Sequence, residues 1–420
     1  MNTYAIVAGL VFLAALFGFL NARFLKLPTT IGLMLITLLY TVAVLILSVF
    51  DDTLLRVEAE LIRQIDFERV LMDYMLSFLL FAGALHTNYD DLKKQGGAII
   101  AFATLGVLLS TFLIGTGTYY LLQLLGLPVD YLYCLLFGAV ISPTDPIAVL
   151  GILKQAGAPK KLETKIVGES LFNDGVGVVI FLTLFEIAQS TGGGIDPVDI
   201  GILFGQEVFG GLLLGLGVGW VAYQFMKSID DFATEVIITL AAVMGGTVVA
   251  QQFHLSAPLA MVMAGLTIGH DRLRTSAMSE VTELYVDKFW ELIDILLNAI
   301  LFVLIGMELL VLTYEGNYLL AGVLAIPLVL LARYAALWLP VKTFARRLDF
   351  VPHTHTIITW GGLRGGISIA LALTLTEAMN RELFLVMTYV VVVFSILVQG
   401  LTIEGLVRRL LPGAGPQVEA

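Results

Sequence analysis

Residues Gly168-Glu169-Ser170-Leu171-Phe172-Asn173-Asp174-Gly175 place two carboxylates, an amide and a hydroxyl inside a long apolar run. Val176 through Leu184, on the far side, carry no charge. A carboxylate at membrane depth costs roughly 2.5–3.5 kcal/mol on insertion scales, so it persists chiefly where it binds an ion, carries a proton or pairs with an opposite charge. On a helix, Glu169 and Asn173 share one stripe and Ser170 and Asp174 the next, because residues four apart lie on one face. Asp174 and Ser170 offer the oxygen ligands that a hard monovalent cation prefers. Asp174 reads as a carrier of a cation or a proton, since a purely structural acid would be replaced by a neutral residue.

A second group lies in Ser142-Pro143-Thr144-Asp145-Pro146, where each proline removes a backbone donor and breaks a helix. Thr144 can offer its hydroxyl or its carbonyl to the same cation. Asp145 is expected to cap the second half-helix, where free N–H groups and the helix dipole are positive. Arg364 stands between Gly361-Gly362 and Gly365-Gly366, keeps its charge, and therefore needs a counter-charge at membrane depth. Glu169 is the expected partner and Asp145 the alternative.

These residues need a membrane to make sense. Hydrophobic residues form 58% of the chain and charged ones 14%, against about a quarter charged in soluble domains. Such a chain is a polytopic membrane protein. Its net charge of −11 and its class exclude nucleic acid as a partner. Cys134 is alone, so no intrachain disulfide forms. No Gly-Lys-Ser or Gly-Lys-Thr loop supports ATP drive.

A bilayer core of about 30 Å takes about 20 apolar residues per helix. Thirteen runs are predicted, near 4–22, 29–49, 70–86, 97–125, 132–156, 162–190, 201–226, 233–252, 256–270, 289–313, 318–341, 353–378 and 382–407. The first is read as a retained helix, since Met1-Asn2-Thr3-Tyr4 has no basic region and no cleavage site. With the N-terminus outside and the C-terminus cytoplasmic, most of the 23 lysines and arginines fall in the cytoplasm. The outside keeps Arg56, Arg63, Arg69 and Arg381, while Arg333 and Arg364 lie within helices. Arg333 is expected to snorkel toward the cytoplasmic side. Glu186 and Glu308 are read as helix-end residues facing a funnel.

Residues 51–69 are too polar to span, and their apolar residues recur at helical spacing, as in an amphipathic surface helix. Residues 191–199 read as a loop and 411–420 as a short cytoplasmic tail. Gly211, Gly215 and Gly219 form a small-residue stripe for close helix packing. His353 and His355 flank the twelfth run, most simply as loop residues without a pH-sensing role.

The organisation follows from the two interruptions. Each is fifth in a set of six helices, the first set in residues 1–190 and the second in 233–407, with 201–226 as linker. The predicted fold is therefore all-α, about thirteen transmembrane helices in inverted repeats of six. The broken helices are 132–156 and 353–378, within one transmembrane domain at 1–410. Broken helices in corresponding positions point to a midplane binding site in a secondary transporter.

The stretches GAVISPTDPIAVL (138–150), GESLFNDGVGVVIF (168–181), GGLRGGISIALAL (361–373) and VQGLTIEGLV (398–407) resemble the monovalent cation:proton antiporter-1 family. That family includes the NhaP-type sodium/proton antiporters and the animal sodium/proton exchangers. The resemblance implies that Asp174 binds cation and proton alternately. It implies that Asn173 holds the unwound helix near Thr144, and that Ser170 and Thr144 complete the sodium shell with Glu169 nearby. Glu169 would pair with Arg364. It implies further a homodimer with a mobile six-helix core domain, no cofactor, a plasma-membrane location and, from the Asn-Asp pair, electroneutral exchange of one sodium or lithium ion for one proton. Potassium exchange by the same machinery is the near alternative. An intramembrane aspartyl hydrolase using Asp145 and Asp174 is a distant one, since its Gly-x-Gly-Asp signature is absent: Val178 follows Gly175-Val176-Gly177. A passive channel is a third, and it has no need of Arg364 opposite a buried acid.

Overall fold

A computed structural model describes residues 3–145, 147–189, 197–270, 274, 278–312, 315–344 and 350–411. The predicted tail, apart from Leu411, and most of the predicted loop 191–199 lie outside them, as does Pro146.

Every element among the described residues is helical, apart from one isolated two-residue bridge. In chain order these are α1 (Tyr4–Leu25), α2 (Thr29–Leu47), α3 (Thr53–Arg63), α4 (67–85) and α5 (Tyr89–Leu124). Then come α6 (Tyr131–Ile141), α7 (Ile147–Gln155), α8 (Lys160–Gln189), α9 (Pro197–Lys227) and α10 (Phe232–Gln252). The last six are α11 (Ala257–Ile268), α12 (Glu280–Glu308), α13 (Gly316–Phe344), α14 (Thr354–Gly361), α15 (Gly366–Thr374) and α16 (Arg381–Leu410).

Among the described residues, nine helices are long and apolar enough to cross a membrane. The remaining predicted runs are the mixed α/π segment α4, the short α11 and the two interrupted pairs, α6/α7 and α14/α15. The interruptions fall where prolines and glycines place them, at 142–145 and 362–365 among the described residues.

Several boundaries move for local reasons. The predicted loop ends early, because Pro197 opens α9, where its missing N–H removes no helical bond. Helix α12 starts nine residues before its apolar run, at Glu280. Ser279 caps it through the N–H of Thr282, and Glu280 and Glu283 lie at the positive end of the dipole. The amphipathic stretch forms α3, with Ile62 turned inward and Glu58 accepting the Tyr40 hydroxyl of α2.

The glycine stripe of α9 receives α11. A Cβ at Gly211 would lie 2.7 Å from the Ser256 carbonyl, and one at Gly219 2.7 Å from Thr267 Cβ. Backbones that approach this closely gain van der Waals contact without needing a hydrophobic drive. So the shortest predicted span is buried between α9 and α4, where Gly265 lies against the carbonyl of Phe81. Lipid-facing side chains cover α1 and α9, with Phe12, Phe209 and Leu213 each about two-thirds exposed.

Candidate functional site

The site is built where the two helix breaks meet. Ser142 ends α6, and the residue four further on is Pro146, which has no N–H to return to the Ser142 carbonyl. Arg364 fills that gap from the other break. Its Nη1 donates to the carbonyls of Ser142 at 2.5 Å and Pro143 at 2.8 Å. A guanidinium at a helix C-terminus meets the negative end of the dipole. The Asp145 N–H donates to the Leu363 carbonyl at 2.8 Å, which joins the breaks through their backbones. Gly365 is required for this approach, because a Cβ there would lie 2.5 Å from Asp145 Oδ2.

The second break is held in the same way by Arg333. Its Nε and Nη2 reach the Ile358 carbonyl, near the end of α14, at 3.4 and 3.2 Å. Ser395 accepts the Arg364 N–H at 2.9 Å, and Gln399 donates to the Trp360 carbonyl at 2.8 Å. Both side chains project from a π-helical turn at Ser395–Gln399.

The polar stripes of α8 face the first break. Asn173 donates from Nδ2 to Thr144 Oγ1 at 2.8 Å and accepts the Thr144 N–H on Oδ1 at 3.3 Å. Ser170 donates its hydroxyl to the Thr144 carbonyl. Thr144 is therefore clamped at N–H, hydroxyl and carbonyl by one helix face. That is how an extended segment stays ordered inside a bilayer.

Asp174, on the stripe it shares with Ser170, is buried and lines a cavity of about 60 Å³ with Thr144, Asp145, Asn298 and Ser368. It makes no hydrogen bond or ion pair with a described residue. The charged groups that reach it are Asp145 and Arg364. Of the residues predicted from sequence, Asp174, Thr144 and Asp145 share this cavity. Ser170 and Asn173 support its wall through Thr144.

Two expectations are corrected. Glu169 does not pair with Arg364; it pairs with Arg333 at 3.0 Å, and both side chains are buried. Arg333 does not snorkel, because α14 and Glu169 enclose its head. Arg364 forms no ion pair with Asp145 either. Its Nη1 serves the two carbonyls, its Nη2 has no hydrogen-bond partner among the described residues, and Glu169 and Asp174 lie within electrostatic reach. The capping expected of Asp145 falls on Pro146 and its neighbours, outside the described residues. Glu308 ends α12 beside Glu377, Arg381 and Glu382, in a cavity of about 240 Å³, as a funnel-facing residue would. His355 is engaged, with Nε2 2.7 Å from the Tyr334 carbonyl.

Asn298 and Ser368 are site residues that sequence reasoning missed. Asn298 had a legible signal: with Asp294, to which its amide donates at 2.9 and 3.0 Å, it forms a polar pair four residues apart inside an apolar run. Ser368 had none, since isolated serines are ordinary in membrane helices.

A multi-pass helical protein with two interrupted helices packed break to break around a buried carboxylate has the architecture of a secondary transporter. The chain belongs to the sodium/hydrogen exchanger family: residues 11–409 match the family described as sodium/hydrogen exchanger, transmembrane. It is 49% identical to the Na(+)/H(+) antiporter NhaP of Pseudomonas aeruginosa over 97% of each chain. It is 33% identical to the Na(+)/H(+) antiporter NhaH of Halobacillus dabanensis over 93% of each. The sodium proton antiporter MjNhaP1 of Methanocaldococcus jannaschii has the same fold, with a TM-score of 0.75 at 19% identity, covering 98% of this chain and 100% of that one.

Proposed function

We propose that this protein exchanges sodium ions for protons across the membrane, with both competing for the carboxylate of Asp174. The observation that carries the reading is Asp174 itself: a buried acid without a partner among the described residues, beside a helix break that exposes oxygens to the same cavity. A carboxylate in that setting holds either a proton or a cation, and an ionised empty site is costly to carry through lipid. The core therefore moves only when Asp174 is neutralised, and that condition couples the two fluxes.

Thr144 and Ser170 complete the sodium shell in this reading, and Glu169 is a structural partner of Arg333. Asn173 replaces a second acid, so one proton leaves as one monovalent cation enters and the exchange is electroneutral. The thirteen predicted runs all cross the bilayer, with two inverted repeats, at 1–190 and 233–407, related through the linker α9. The N-terminus lies outside and the C-terminus in the cytoplasm of the plasma membrane, and the functional unit is a homodimer. No cofactor takes part, and the protein is a transporter rather than an enzyme. The close relatives at 49% and 33% identity, both named as Na(+)/H(+) antiporters, support sodium over potassium.

The test is acridine-dye dequenching in inside-out vesicles holding an imposed pH gradient. Added sodium should dequench the dye with the wild type and fail to do so with Asp174→Ala. No cation response from well-inserted wild type between pH 6 and 9 would overturn the proposal.

A further inference from the structure

We infer that Ser368 is a further cation ligand, supplied to the Asp174 cavity by the second interrupted helix; this rests on the reading of that cavity as the sodium site. Ser368 is the third residue of α15 and only 1% exposed. Its hydroxyl has no hydrogen-bond partner among the described residues, and it lines the same cavity as Asp174 and Thr144.

Several helix hydroxyls elsewhere turn back onto the carbonyl four residues earlier: buried Thr37 bonds Leu33, buried Thr247 bonds Val243 and half-buried Thr374 bonds Ala370. Buried Thr118 and Thr388 share with Ser368 the lack of a partner among the described residues, but of the three only Ser368 lines the Asp174 cavity. The residue four before Ser368 is Arg364, which lies in the break rather than in the helix. The break thus leaves a buried hydroxyl without its usual local acceptor, and it does so on the wall of the site. A buried polar group without a partner is destabilising, so this one persists where a ligand satisfies it.

The other wall has less to offer. The Thr144 hydroxyl already accepts from Asn173, and its carbonyl accepts from Ser170. A cavity of about 60 Å³ has room for an ion and a little water, since about 10–15 Å³ holds one water molecule. A sodium ion held between Asp174 and Ser368 draws oxygens from α8 and from the second interrupted helix. Its shell is then assembled from the two halves of the chain.

Sodium-dependent dequenching at fixed pH, with wild type, Ser368→Ala, Ser368→Cys and Ser368→Thr, tests this. Ser368→Ala should raise the half-saturating sodium concentration about tenfold, the size of one lost contact to a charged group, with the maximal response retained. Ser368→Thr keeps the hydroxyl and should stay near wild type. If Ser368→Ala fails to insert, Ser368→Cys must show the same rise, because it keeps the shape and offers a soft sulfur that sodium avoids. Unchanged half-saturation in these variants beside a responding wild type overturns the role of Ser368 and leaves the sodium reading standing. A reduced maximum with unchanged half-saturation makes Ser368 structural and equally overturns its role. A wild type without sodium response overturns both.

Discussion

Glu169 and Arg333 form a buried ion pair 3.0 Å long that ties α8 to α13, one helical turn before Asn173. Arg333 at the same time reaches the end of α14 through the Ile358 carbonyl. One guanidinium thus links the helix that carries Asp174 to the second break. Removing either partner leaves a charge buried without its neutraliser.

Arg333→Met and Glu169→Gln should each destabilise the protein by about 3–5 kcal/mol, the usual range for breaking a buried pair. Thermal unfolding in detergent measures this. The double variant should lose clearly less than the sum of the two, because the pair acts as a unit.

Asn173→Ala removes two hydrogen bonds to Thr144 and leaves a buried N–H orphaned, at about 1–3 kcal/mol. Asn173→Asp keeps an acceptor for that N–H, and the Thr144 hydroxyl can rotate to donate to the new carboxylate. Its unfolding temperature should therefore lie above that of Asn173→Ala.

Arg364→Lys keeps the charge and replaces the rigid guanidinium, whose Nη1 donates to both the Ser142 and Pro143 carbonyls, with a shorter-reaching, flexible ammonium. Exchange should fall by about tenfold or more, the value of one charged hydrogen bond, in the dequenching assay. Gly365→Ala should likewise impair exchange, because its Cβ would lie 2.5 Å from Asp145 Oδ2 and push the breaks apart.

Competition at one carboxylate fixes the sign of the pH dependence. As pH falls below the pKa of Asp174 the proton occupies the site, and the half-saturating sodium concentration should rise about tenfold per pH unit. Above that pKa it should level off. Sodium titrations of the dequenching response at a series of pH values read this directly, and a sodium requirement that ignores pH would contradict single-site competition.

Electroneutral exchange should not respond to membrane voltage. Clamping vesicles at different potentials with potassium and valinomycin should leave the initial sodium-driven rate unchanged. A rate that follows the potential would point to more than one proton per sodium ion.

Much of the site was legible along the chain because bilayer physics makes polar residues conspicuous. Asp174, Asn173, Ser170 and Glu169 stand out in an apolar run, and a four-residue spacing assigns them to stripes. Proline and glycine locate the breaks by backbone chemistry alone, since Pro143 and Pro146 cannot donate. The composition and its runs of about 20 apolar residues required helical spans, because in lipid such a run satisfies its backbone groups within itself only as a helix.

Partner choice was not legible in the same way. Two arginines and one glutamate at membrane depth admit more than one pairing, and only the three-dimensional arrangement selects Arg333 for Glu169 and the helix-end carbonyls for Arg364. Two donors of Arg364, both on Nη1, are answered by carbonyls at the first break, more than two hundred residues away in the chain. Ser368 and Asn298 join the cavity for the same reason. Residue type and spacing set what a side chain can do, whereas long-range packing between the two halves sets what it meets.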